Sequence, residues 1–308
     1  MDHKTVVAWD GSAAADAALD WAVERERARG GTIALVRVID DVAPATEYQQ
    51  AQREVTEERD EVDGAAARAQ ESAPACLVTS TTIRGVPYDE LIRFVGPDCV
   101  LAVGTQRRTA ARFHYGWSMG AQLAAAARGA VAIIPAVSTG LRRGIVVGYD
   151  GSPEARTAVS LAAAEAAGRS EPLVIVHAWG EPTLMAGQSI LDPMMMNALR
   201  EESSHLLAEA DAQVAHEFPG VVVERRSLHG SPHEALQRSA RTAVELVLGT
   251  RGLRGIRRVL LGSVSHGIVL DLACPTVIVG DAGAARSEGD EGTASSPRAP
   301  AESERTVR

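Results

Sequence analysis

Val146–Ser152 reads V-V-G-Y-D-G-S, and Val6–Ser12, 140 residues earlier, reads V-V-A-W-D-G-S. Each is a short apolar strand that runs into Asp-Gly-Ser, a turn and helix-start signal. Working outward, the same features recur in the same order. Ile33–Ile39 matches Leu173–Trp179 as a second strand, still 140 residues apart. R-G-V-P-Y-D-E-L from Arg84 to Leu91 matches H-G-S-P-H-E-A-L from His229 to Leu236, now at an offset of 145. Gly104-Thr105 then matches Gly249-Thr250, and Ala130–Ile134 matches Pro275–Val279. Several matched features in one order mean an internal duplication.

Between the strands run helical segments. Ala13–Arg29 follows the first strand, with Ala17, Ala18, Trp21 and Ala28 suited to a covered face. The acidic, glutamine-rich stretch Glu47–Gln70 predicts a long solvated helix, and A-Q-L-A-A-A-A-R over Ala121–Arg128 another. Strands are expected at Thr32–Ile39, Ala75–Ser80, Cys99–Val103, Ala130–Ile134 and Ala243–Leu248. In the second copy the extra residues fall in a loop, Glu181–Asn197, and a helix, Ala198–Glu217. Strands alternating with helices give an α/β fold with parallel sheets covered on both faces. Two doubly wound domains follow, Met1–Ser138 and Arg142–Asp281, joined by Thr139-Gly140-Leu141 and packed as a pseudo-twofold pair. Gly283–Arg308 has no periodic apolar residues and predicts a disordered tail.

Composition narrows the function. The net charge is −9 and the pI about 5.4, which argues against nucleic acid or an anionic membrane as main partner. Lys4 is the sole lysine, which excludes a Walker A loop. Cys76, Cys99 and Cys274 lie far apart in apolar surroundings, as buried thiols in a reducing compartment do. No apolar run reaches membrane-spanning length and no leader-like segment opens the chain, so a cytoplasmic location is expected.

Gly249–Ser263 reads G-T-R-G-L-R-G-I-R-R-V-L-L-G-S, between a strand and a helix. A strand, a glycine-rich loop and a helix N-terminus together suit a phosphate, because unpaired N–H groups and the helix dipole attract an anion. The same glycines also serve as ordinary turns and caps. Asp10 and Asp150 end first strands, where a carboxylate either accepts hydrogen bonds from a ribose or base, or makes an Asx turn and helix cap.

D-G-S after strand one, G-x-P before a helix, and G-x-x-G followed by nine residues and G-S resemble the universal stress protein family, in its tandem two-domain form. The likeness runs to about Asp281. It implies a Rossmann-like, five-stranded parallel sheet of order 3-2-1-4-5 in each half, and ATP binding, with magnesium as a candidate accompanying ion. By motif position, Asp150 would contact the sugar and the backbone of Ala178 the adenine. Leu248, Gly249 and Gly252 would approach sugar and phosphates, while Gly262, Ser263 and Val264 wrap the phosphate end. The corresponding positions in the first half are Asp10, Val38, Gly104 and Ser118. There the motif departs: Arg107 stands at the second glycine and Trp117 at the third, so a degenerate site is expected.

Other residues carry weaker signals. His177, His229, His233 and His266 occur on separate elements without metal-ligand spacing. Arg251, Arg254, Arg257 and Arg258 either neutralise phosphate or form a solvated basic face. Met185, Met194, Met195 and Met196 lie in the second-half insertion, as a cover over nucleotide, a partner surface or a packed loop. No residue set forms a dedicated catalytic apparatus, and no metal site is expected. The competing readings are an ATP-binding stress or signalling protein, a nucleotide-dependent transferase or oxidoreductase, and a nucleotide-independent scaffold. The strand-five edges leave a homodimer or an unidentified protein partner open.

Overall fold

The computed structural model describes residues 4–40, 48–106, 118–136, 141–180, 193–250 and 261–280. The first half runs β1 (Lys4–Ala8), α1 (Ala13–Arg27), β2 (Thr32–Ile39), α2 (Tyr48–Ser72), β3 (Leu77–Arg84), α3 (Pro87–Leu91), β4 (Cys99–Thr105), α4 (Met119–Ala126) and β5 (Ala130–Pro135). The second runs β6 (Ile145–Gly148), α5 (Pro153–Arg169), β7 (Leu173–Trp179), α6 (Pro193–Glu217), β8 (Val223–His229), α7 (Pro232–Ala240), β9 (Glu245–Gly249), α8 (Ser263–Leu270) and β10 (Thr276–Val279).

Within each half the strands are parallel, in the order 3-2-1-4-5. The two fifth strands then pair antiparallel and join everything into one ten-stranded sheet. At this seam Val277 faces Ala132, its own counterpart 145 residues earlier. Thr276 faces Ile133 and Ile278 faces Val131, which is the same pair of positions with the halves exchanged. A pseudo-twofold axis therefore passes through the Ala132–Val277 pair. Both strand-five edges are consumed inside the chain, so association between copies would have to use other surfaces.

Burial explains the strand sequences. β5 and β10 are buried along their whole length and are apolar throughout except at Thr276, as suits strands covered on both faces. β3 and β8 form the open edges and alternate between exposed and partly covered residues, with threonine, serine, glutamate and arginine prominent. One apolar layer lies under α1, α2, α5 and α6, the other under α3, α4, α7 and α8, and each layer crosses the seam.

Four expectations shift. β3 starts at Leu77 and extends to Arg84, because half-exposed polar residues continue the edge ladder beyond the apolar run. β9 covers Glu245–Gly249 rather than starting at Ala243. α2 is not merely solvated: Val62, Ala65, Ala66 and Ala69 form a buried stripe. α6 begins five residues earlier than expected, at Pro193, and takes in Met194–Met196. Met194 and Met195 are exposed there. The linker residues Thr139 and Gly140, Met185 and the segment after Gly280 lie outside the described residues. No helix among the described residues is long and apolar enough to cross a membrane.

Candidate functional site

In the second half, β6 and β9 are neighbours, while the chain winds outward from β6 to β7 and β8 and from β9 to β10. Ligands of doubly wound sheets sit beyond the carboxyl ends of strands at this change of direction. Asp150 follows β6 there, and Leu248 and Gly249 end β9. Ala178 lies on β7, whose last three residues overhang β6: pairing between these strands stops at Gly148–Val176, whereas β7 stays paired with β8 through Trp179. The side of Ala178 toward β6 thus opens on the space beyond Asp150. Ser263 and Val264 form the first turn of α8, which returns from this same end.

Asp150 Oδ1 accepts the Ser152 N–H at 3.0 Å, and Ser152 Oγ caps α5 by accepting the Ala155 N–H at 3.2 Å. Asp10 and Ser12 repeat both bonds before α1. The aspartates therefore do build the local turn in both halves. The Asp-Gly-Ser motif alone does not distinguish the two sites.

Gly249 has a packing reason to be glycine. A Cβ there would lie 2.6 Å from the carbonyl carbon of Glu154 and 2.8 Å from the Ala155 nitrogen, against the first turn of α5. Gly104 stands in the same relation to α1, where its Cβ would run into the Ala14 carbonyl and lie 2.7 Å from the Ala15 nitrogen. Gly262 differs. Its φ of −57° suits any residue, and a Cβ on it would meet nothing within 4 Å among the described residues. Neither strain nor packing requires glycine there.

The helix starts separate the halves more clearly. Ser118 caps α4 by accepting the Ala121 N–H at 3.2 Å, so a hydroxyl of the chain already satisfies that N-terminus. Gly262 is the N-cap of α8, and among the described residues no side chain caps this helix. Its first N–H groups and the positive end of its dipole are offered to an anion. Thr250, next to Gly249, is 5% exposed, and its Oγ1 has no hydrogen-bond partner among the described residues. Gly252, Arg251, Arg254, Arg257 and Arg258 lie outside the described residues, as do Arg107 and Trp117.

The residue before Ala178 also differs from the one before its counterpart, Val38. In the first half it is Arg37, before Val38; in the second it is His177, before Ala178. The Arg37 guanidinium lies 5.8 Å from the Trp9 ring centroid and pairs with Glu58 at 3.2 Å. Its Nη1 is 3.5 Å from where a Gly11 Cβ would be, so a cation already sits beside the Asp10-Gly11 turn. His177 Nδ1 is buried and unbonded among the described residues.

Burial pulls the His177 pKa below the ordinary 6.5, with Asp150 and Glu202 pulling the other way. Since the unfolded chain then takes up the proton first, stability is fully present above 6.5 and falls as pH drops toward the folded value. Denaturant midpoints measured from about pH 7.5 to about pH 5.5 should show this decline, and His177→Gln should flatten it. An unchanged slope in the variant would assign the decline to another group.

The remaining histidines do not converge. His229 packs edge-on to Trp179 with centroids 4.8 Å apart, and His233 lies against Gly267. No group of three or more His, Cys, Asp or Glu suited to a metal occurs among the described residues. All three cysteines are free; Cys76 and Cys274 are buried, but Cys99 is only partly so. Burial pushes the Cys274 thiol up to about 12.

Sequence reasoning missed Arg37, His177 and the Ser118 cap as the features that set the halves apart. An overlay of the repeat on itself would have flagged Arg37 against His177. The caps needed coordinates, because the N-cap moves by one residue between the halves.

The universal stress protein family model matches residues 1–133 and again 142–280. A universal stress protein of Mycobacterium tuberculosis H37Rv, Rv1996, is 27% identical over 296 residues, covering 89% of this chain and 93% of its own. One from Mycolicibacterium smegmatis is 28% identical over 292 residues, covering 90% and 97%. The crystal structure of a universal stress protein from Archaeoglobus fulgidus DSM 4304 superposes with a TM-score of 0.65 at 19% identity, over 91% of this chain and 99% of that one. With the family matched once in each half of a duplicated sheet, the chain belongs to the universal stress protein family, as a tandem two-domain member.

Proposed function

We propose that the second half binds ATP and that the chain acts in stress response or signalling through nucleotide-dependent conformation or partner choice. The observation that carries this reading is the uncapped N-terminus of α8, set against the self-capped α4. Phosphate oxygens would accept from the N–H groups at Ser263 and Val264, with the Ser263 hydroxyl beside them. Gly262 leaves the approach open, and the buried Thr250 hydroxyl offers a further donor at the same end. Asp150 would take the sugar hydroxyls, and the Ala178 backbone the adenine edge. Leu248 and Gly249 would line the floor between them, and Gly252 would bring its loop against the phosphates. Magnesium would draw most of its ligands from the triphosphate and water, in keeping with the scattered carboxylates. In the first half, the cation at Arg37 and the Ser118 cap argue for weaker nucleotide binding, or none.

Gly262→Asp tests the assignment with two readouts of opposite sign. An aspartate N-cap would satisfy α8 from within and should leave stability equal or slightly higher. It would also set a negative charge where phosphate is held. Losing two charge-assisted contacts of about 1.5–3 kcal/mol each weakens ATP binding on the order of 100-fold or more. Calorimetric titration of the folded variant measures this. Unchanged affinity and stoichiometry would refute the site. Mass analysis of ligand released from the purified native chain separates the alternatives: ATP, a dinucleotide for an enzyme, or nothing for a scaffold.

A further inference from the structure

Arg25 and Glu165 are the same position in the two halves, 140 residues apart, and they touch each other. Arg25 Nε and Nη2 each lie 2.8 Å from Glu165 Oε1, where α1 meets α5 beside the pseudo-twofold axis. Arg25 is 1% exposed and Glu165 1%. Around them the first half adds Glu26, which pairs with Arg25, and Arg29, 3.3 Å from Glu165. The second half adds Arg169, 3.5 Å from Glu165, and Glu245, 3.0 Å from Arg169. Trp21 Nε1 donates to Glu245 at 3.0 Å, and its ring lies under Arg25 and Arg169.

The charges divide by half. Arg25, Glu26 and Arg29 give the first half one net positive charge; Glu165, Arg169 and Glu245 give the second one net negative charge. Paired as they are, the halves cancel. Two first halves meeting through their fifth strands would bury two guanidiniums against each other and leave a net charge of two. Two second halves would do the same with two carboxylates. Buried ion pairs roughly break even with apolar packing in stability, so what this set contributes is choice of partner. Its incomplete satisfaction agrees: Glu165 Oε2 and Glu245 Oε1 have no hydrogen-bond partner among the described residues.

We propose that this buried charge set makes the strand-five face of each half complementary to the other half and hostile to its own kind. The partner it selects is the opposite half, and the partner it refuses is the like half of a second copy. The duplicated chain thereby closes on itself instead of growing through open fifth strands.

The test is refolding of the full chain from denaturant across a range of concentrations, read by sedimentation velocity. The native chain should return as monomer. Arg25→Met with Glu165→Met should fold but return with an oligomeric fraction on the order of tenfold higher, rising with concentration, because the like-half pairings are no longer penalised. A double variant whose oligomeric fraction is no higher than the native chain's would overturn the proposal. A second comparison stands if that variant fails to fold. Arg25→Glu alone should oligomerise or unfold, whereas Arg25→Glu with Glu165→Arg restores opposite net charges and should return as monomer. Equal oligomer fractions in those two variants would likewise overturn it.

Discussion

Replacing Glu165 by leucine is expected to destabilise the fold by about 3–5 kcal/mol, because the buried Arg25 guanidinium loses the carboxylate that its Nε and Nη2 face, while Glu26 and Thr5 stay on Nη1. Burial alone would lower the Arg25 pKa, but Glu165, Glu26 and Glu245 together hold it above the ordinary arginine range. An arginine stays protonated inside a protein, so the guanidinium cannot escape the loss by shedding a proton. Arg29 also loses the Glu165 carboxylate, but it keeps its bond to the Ala164 carbonyl and, at 24% exposed, can turn to water. Adding Arg25→Leu to Glu165→Leu should recover part of the loss, since the pair is then removed as a whole, while the buried Glu26 gives up its guanidinium and keeps the Thr5 hydroxyl. Urea unfolding of the two single variants and the double variant measures the coupling. Additive losses would mean that the pair is energetically independent despite the contact.

The second large effect is expected from alanine at Gly249 and at Gly104. Each Cβ would strike the backbone of a helix first turn, Glu154–Ala155 in one case and Ala14–Ala15 in the other. Backbone cannot step aside as a flexible side chain can, so the strand and helix must part. The cost should be about 3 kcal/mol at each position, the upper end for overpacking. Matching losses in denaturant midpoint at both sites would assign these glycines to packing. If Gly249→Ala instead kept its stability and lost only ATP affinity, close approach of the ligand would be its reason for being glycine.

The repeat made most of the fold legible. A duplicated order of strand, turn and helix leaves few topologies, and the family resemblance supplied the strand order within each half. The edge strand β3 was harder, since T-S-T-T-I-R lacks the apolar run that marks a buried strand. Pro193 at the head of α6 was a legible start signal, obscured by the methionines after it. The seam was not legible, because Ala130–Ile134 and Pro275–Val279 are equally apolar and pair as well between copies as within one. What resolves it is a property of two residues together. Arg25 alone and Glu165 alone look like ordinary helix charges, and only their equivalence under the repeat makes them a pair. The starts of α4 and α8 were legible as residue types but not as a difference in capping, which depends on where each helix begins.

The antiparallel seam sets the carboxyl-end rims of the two halves at opposite ends of the sheet, and α1 and α5 span the distance. Each helix has its head at one rim, on the Asp10–Ser12 or Asp150–Ser152 turn, and its tail in the charge set at the axis. From Ser152 to Glu165 is about 20 Å at 1.5 Å per residue. The two helices are struts braced against each other, tail to tail. A ligand that tilts one strut at its head levers against the far ends of both, and the Arg25–Glu165 contact is the fulcrum.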